Sequence, residues 1–106
     1  MNIMIIVTTT SRETLVDAFR FGITSLNQGH NVKVHLMGEC LHSEEALAAL
    51  TSENVVDAFC EFAGDLYACK SKAVPIQDAL PGSCKLATIN NLVHYCTEWA
   101  DKVITF

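Results

Sequence analysis

The sequence predicts an α/β fold: a three-layer open sheet of about five mostly parallel strands with helices on both faces. Three observations predict it. Apolar runs of strand length alternate along the chain with stretches of helical period. The first run, Asn2–Val7 (NIMIIV), is apolar throughout, as suits a strand covered on both faces. Strands separated by helices pair in parallel through right-handed crossovers, which place the helices on the sheet's faces. At 106 residues the chain is one domain, residues 1–106, without repeat, linker or low-complexity segment.

After the first strand, Thr8-Thr9-Thr10-Ser11 breaks the run, and Thr10 with Glu13 fits an S/T-x-x-E capping box. Leu15, Ala18, Phe19, Gly22, Ile23 and Leu26 then mark one face of a helix that Gly29 stops. His30–Met37 alternates Val32, Val34 and Leu36 with Lys33, His35 and Met37, which predicts a strand wet on one face or near a sheet edge. Ser43 precedes Glu44 and Glu45, acids suited to a helix start, and Ala46–Leu50 continues as helix. Thr51 or Ser52 is expected to cap a second piece, with Val55, Val56, Phe59 and Phe62 on one side and Gly64 at its end.

Leu66–Cys69 reads as the third strand, and Pro75 opens a short helix around Ile76–Leu80. Pro81-Gly82 ends that helix, and Ser83–Leu86 reads as a fourth, short strand. Thr88 caps the last helix, whose period runs through Ile89, Leu92, Val93, Cys96, Trp99 and Ala100, and Val103–Phe106 forms the final strand.

Composition excludes several functions. With a formal charge of −5 and only seven Lys and Arg, no basic surface exists to neutralise phosphates, so no nucleic-acid partner is expected. No apolar run approaches a bilayer span, and MNIMIIVTTTSRE lacks the basic segment of a secretory signal, so no membrane partner and a cytoplasmic location are expected. TTTSRET offers hydroxyls and a helix start to an anion but lacks the glycines of a nucleotide fingerprint, so no cofactor is assigned. Five cysteines, an odd number with no CxxC spacing, argue against a disulfide framework in a reducing compartment. Cys40 and His42 form a Cys-x-His pair that Cys69 or Cys84 would have to complete, but paired short spacings are absent, so metal is put at none. His94 sits mid-helix among apolar neighbours and reads as a partly buried or interface residue rather than a base.

In an open parallel sheet, ligands collect outside the carboxyl ends of the strands. Those ends carry Thr9, Thr10 and Ser11 after the first strand, Gly38 and Cys40 after the second, and Cys69-Lys70 after the third. If the first strand is central, Cys40 and Cys69 share a rim about 10 Å apart with one strand between them, too far for a disulfide. Cys69 precedes Lys70 and Lys72 and a helix start, positive neighbours that favour thiolate over thiol. A buried strand-end cysteine beside two solvated lysines accounts for the same residues. Cys60 and Cys96 fall on apolar helical faces and read as core, while Cys84 can face either core or rim.

The chain resembles the DsrE/DsrF-like family of small sulfur-relay proteins, including its TusD-type members, over nearly its whole length. The likeness is carried by NIMIIVTTT, Gly29-His30 before VKVHLMG, ACKSKAVPI, and the closing Trp99–Phe106, an A-D-x-V-x-x-F tail. The resemblance implies that Cys69 accepts sulfane sulfur as a persulfide and passes it to an acceptor thiol, with Lys70 and Lys72 supporting the anionic forms. It implies sulfur donor and acceptor proteins, and a homo-oligomer (trimer or hexamer) or a hetero-oligomer of related subunits, with Trp99, Phe62 or Tyr67 in the contacts. Where many relatives carry a further cysteine or an Arg-Gly pair after the first cysteine, this chain has Ser71-Lys72-Ala73. The function expected is therefore a sulfur carrier or sulfurtransferase using Cys69. The alternative is a non-catalytic oligomeric binding module holding a small anion or a partner at the rim.

Overall fold

The run NIMIIV becomes a strand over the residues its composition marked, and the other strands align beside it without a single antiparallel pair. The computed structural model describes residues 1–106. The elements are β1 (Asn2–Val7), α1 (Arg12–Asn27), β2 (Asn31–Leu36), α2 (Glu44–Ser52), α3 (Asn54–Glu61), β3 (Asp65–Cys69), α4 (Lys70–Ala73), β4 (Lys85–Ala87), α5 (Ile89–His94) and β5 (Lys102–Thr105). Tighter 3₁₀ turns span Gly38–His42 and Val74–Ala79, and a π-helical turn, Tyr95–Trp99, follows α5. The strands form one parallel five-stranded sheet in the order β4-β3-β2-β1-β5. No helix is long and apolar enough to cross a membrane.

One face of the sheet carries the core. Ile3, Ile5 and Val7 of β1, Val32, Val34 and Leu36 of β2, and Leu66 and Ala68 of β3 pack in one cluster with Leu15, Ala18 and Phe19 of α1 and Val56 and Phe59 of α3. Phe59 is fully buried and meets Phe19 edge-on, with ring centroids 5.5 Å apart. Gly22 and Gly64 leave room for its ring: a Cβ on either would press into Phe59.

Strand order corrects the expected placement of β1 and β2. The centre is β2, flanked by β1 and β3, while β1 lies between β2 and the edge strand β5. The polar letters of β2 suggested a wet face, but Lys33 and His35 point to the second face of the sheet, and aromatic side chains close over Lys33 there. Lys33 Nζ bonds Asp65 at 3.0 Å and the Tyr67 hydroxyl at 3.3 Å. It also lies 5.4, 4.9 and 4.8 Å from the ring centroids of Tyr67, Tyr95 and Trp99. The lysine's charge is thus met by a carboxylate and three π faces, which pin the π-helical turn to β2 and β3. Replacing Lys33 with Met is expected to cost about 1–2 kcal/mol and to shift the emission of Trp99, the chain's one tryptophan. Fluorescence-monitored urea unfolding checks both.

Several caps differ from expectation. Ser11, not Thr10, caps α1 by accepting from Thr14 N, because Thr9 Oγ1 accepts from Ser11 N and sets the turn one residue later. Ser43 caps α2 by accepting from Ala46 N. Thr51 and Ser52 bond back to carbonyls of α2, so Glu53 precedes α3 without a side-chain cap. Ala63, at φ 73°, takes the left-handed position after α3, one residue before Gly64. Thr88 caps α5 in a reciprocal box with Asn91. The apolar stripe expected for that helix is only partly covered: Leu92 is buried, whereas Ile89 and Val93 are about half exposed, at 51% and 54%.

Candidate functional site

The connections leaving β1, β2 and β3 stay on the first face, where Ala73 and Leu80 of the β3–β4 connection join the core cluster. The connection leaving β4 crosses instead to the second face, where Tyr95 and Trp99 close over Lys33. Chain exits therefore diverge between β3 and β4, and divergence of this kind opens a crevice at the carboxyl ends of parallel strands. A cleft of about 470 Å³ lies there, lined by Cys69, Lys70, Ser71, Val74, Pro75, Thr88 and Ile89.

Cys69 ends β3 and pairs in register with Ala87 of β4. Its residue is 6% exposed, and its Sγ lies 3.6 Å from Ser71 Oγ. The thiol is therefore nearly buried and opens only through the cleft. Lys70 is exposed on the cleft wall; Lys72 is exposed but lies outside the lining. The ion pairs of the molecule join Arg12 to Glu53 and Lys33 and Lys85 to Asp65, which leaves Lys70 and Lys72 unpaired beside the cleft. Val74, Pro75 and Ile89 make the wall mostly apolar, and hydroxyls of Ser71 and Thr88 interrupt it.

The remaining rim candidates lie elsewhere. Cys40 is adjacent to the β3 side of the sheet through the β2–β3 pairing, not separated from it by a strand, but its side chain is fully buried in the core. Burial pushes its thiol up to about 11. It lines no cleft, because the 3₁₀ turn Gly38–His42 rolls Cys40 and Leu41 inward. Gly38, at φ 65°, makes the backward bend that begins this turn. His42 is exposed, whereas Cys40 is buried.

Thr9, Thr10 and Ser11 are likewise absent from the Cys69 cleft, and the hydroxyls of Thr9 and Ser11 and the carbonyl of Thr10 have partners. Thr9 and Ser11 hold the start of α1, and Thr10 O accepts from Ser43 Oγ. The anion expected at this helix start is supplied by the chain itself: Arg12 N donates to Glu45 Oε2 at 2.9 Å, and the Arg12 guanidinium pairs with Glu53 at 2.8 Å. Ser11 lines a separate, polar hollow in which the carboxylates of Glu13, Asp17, Glu45 and Glu53 outnumber the guanidiniums of Arg12 and Arg20, a net negative surround that disfavours a further anion.

Of the other thiols, Cys60 and Cys96 are half-buried rather than core. Burial raises both above the ordinary thiol value, and carboxylates near Cys60 add to it. Phe62 is exposed at 55%, whereas Tyr67 is buried under Lys33 and is no surface contact.

Sequence reasoning missed two features. The Lys33 box needs Tyr67 of β3 and two side chains of the π-helical turn, partners that only strand order brings together. The second is the wall opposite Cys69, formed by Thr88-Ile89 at the start of α5; the helical period marked Ile89 only as one residue of that helix's apolar stripe.

Comparison with protein-family models and with curated proteins finds no match. Among solved structures, the chain is similar to a conserved protein of unknown function, BT1422, from Bacteroides thetaiotaomicron. The TM-score is 0.71 at 13% identity, over 99% of this chain and 94% of that one. The likeness extends over the whole sheet and its helices and concerns the fold alone.

Proposed function

We propose that the chain is a DsrE/DsrF-like sulfur carrier in which Cys69 holds sulfane sulfur as a persulfide. The five-stranded parallel sheet is compatible with that family. The observation that carries the reading is the position of Cys69: it is the one cysteine lining the cleft where the exits of β3 and β4 diverge. The Cys69 thiolate attacks the outer sulfur of a donor persulfide, R–S–S⁻. The new bond gives Cys69–S–S⁻, and the donor leaves as R–S⁻. An acceptor thiolate then attacks the outer sulfur and releases the Cys69 thiolate, so no oxidant or reductant is consumed. Lys70 and Lys72 supply positive charge at the mouth of an otherwise acidic molecule and draw the anionic donor toward it. Val74, Pro75 and Ile89 give the persulfide a mostly apolar surround.

Treated with one equivalent of a small-molecule persulfide, the protein is expected to gain about 32 Da, one sulfur atom, which a thiol acceptor then removes. Cys69→Ser is expected to gain nothing. No gain in the wild type, or an equal gain in the variant, rejects the reading.

The exposed side chains of the cleft wall, Val74 (52%) and Ile89 (51%), with Val93 (54%) further along α5, favour a second reading. In it the chain is a non-catalytic, oligomeric binding module whose rim receives a partner and whose Cys69 does not exchange sulfur. An unchanged mass in the persulfide experiment, together with an oligomeric mass in solution, is the result that reading predicts.

A further inference from the structure

A second thiol-bearing region lies at the amino ends of β3 and β4. Cys60, on the last turn of α3, opens on a pocket of about 430 Å³ that Asp65, Ser83 and Lys85 also line. Ser83 Oγ donates to Cys60 Sγ at 3.3 Å, which holds the turn before β4 against that thiol. The turn itself is closed by Cys84 N donating to Pro81 O at 3.0 Å. Cys84 and Leu86 alternate with Lys85. Both pack against the core on the face that α3 covers, while Lys85 reaches the other way to Asp65 and Tyr67. The Cys84 thiol is pushed up to about 12, by burial first and by the neighbouring Cys60 second.

We propose that Cys60 and Cys84 form a reversible disulfide that ties the end of α3 to the base of β4, with a low-molecular-weight disulfide as the oxidant. The Cys60 thiolate, reached through its pocket, attacks one sulfur of R–S–S–R. This forms Cys60–S–S–R and releases R–S⁻. The Cys84 thiolate then attacks the Cys60 sulfur, forming the Cys60–Cys84 bond and releasing the second R–S⁻. The two protein thiols give up two protons and two electrons, and the oxidant leaves as two thiols. Because Cys84 ionises poorly, the closing step is slow near neutrality and speeds up about tenfold per pH unit.

The ring so closed runs from residue 60 to residue 84 and contains β3, Cys69, Val74 and Pro75. Beyond it, β4 leads directly into Thr88 and Ile89. The bond therefore clamps both strands beneath the Cys69 cleft and stiffens its walls without using the Cys69 sulfur.

Incubation with oxidised glutathione at alkaline pH is expected to remove about 2 Da from the intact chain and to raise Tm by about 10 °C. Dithiothreitol reverses both changes. Cys60→Ser and Cys84→Ser lose both changes, and Cys69→Ser keeps both. A chain carrying Cys40→Ala, Cys69→Ser and Cys96→Ser, with only Cys60 and Cys84 left, still loses the mass. Glutathione adducts without closure, or a mass loss that persists in either Cys60→Ser or Cys84→Ser, overturns the proposal. Since Cys69→Ser retains the bond, this result and the persulfide result fail independently.

Discussion

Truncating Phe59 to Ala is expected to cost about 3–5 kcal/mol. Phe59 is fully buried at the contact between α1 and α3 and stacks edge-on against Phe19. Gly22 on α1 and Gly64 before β3 are both pressed against its ring. Neither glycine can grow inward to fill the space vacated, so the cavity persists, and a persisting cavity adds to the transfer loss. Domains of this size are stable by about 5–15 kcal/mol, so the variant keeps a fraction of the original stability and its Tm falls by about 15 °C or more. Phe62→Ala, three residues on and exposed, is expected to change stability by less than about 0.5 kcal/mol. Urea midpoints of the two variants measure the contrast; equal losses would mean that the α1–α3 contact does not carry the core.

That contrast also marks where the sequence was legible. Val55, Val56, Phe59 and Phe62 share a helical period, but α3 ends at Glu61, so Phe62 leaves the stripe and faces solvent. Apolar periodicity identified the strands and helices because covering one sheet face demands it: β1 and the buried residues of α1 follow the pattern directly. It failed wherever burial was achieved by polar groups. Lys33 and His35 are ordinary polar letters in an alternating strand. Lys33 is covered by Asp65, Tyr67, Tyr95 and Trp99, and His35 by its place on the central strand, surroundings set by a strand order that no local signal encodes. The candidate site was legible as one residue, Cys69 after an apolar run. Its surroundings were not, because the opposite wall comes from the start of α5 and becomes a wall only when β4 pairs with β3.

His35 is expected to make the protein acid-sensitive, by about 3 kcal/mol between pH 6.5 and 4. Its ring is fully buried on β2, and both nitrogens lack a hydrogen-bond partner. It stands in register with Ile6 on one side and Tyr67 on the other. Burial lowers its pKa from 6.5 to about 4, since a charged ring there would be stripped of water. In the folded chain the imidazole stays neutral down to about pH 4, whereas the unfolded chain takes up the proton from pH 6.5 downward. The unfolded state then binds more protons, so stability is full above pH 6.5 and is lost progressively as pH falls toward 4. His35→Leu removes this proton uptake and both unpartnered nitrogens. It is expected to match or exceed the wild type at pH 7 and to lose markedly less between pH 6.5 and 4. Urea midpoints across that range test the assignment. Parallel pH curves for the two proteins would exclude His35 as the source.

The long crossover from β4 sets Ile3 of β1 beside Lys102 of β5, and Asn2 N donates to the Asp101 carboxylate at 2.7 Å. One flank of β1 is thus sealed by residues translated almost a hundred codons later. Until they leave the ribosome, β1 presents a bare row of amide and carbonyl groups on an otherwise apolar ribbon, a template on which nascent chains can aggregate. The sheet therefore closes on that flank only once β5 has been made, whatever the order in which the other strands pair.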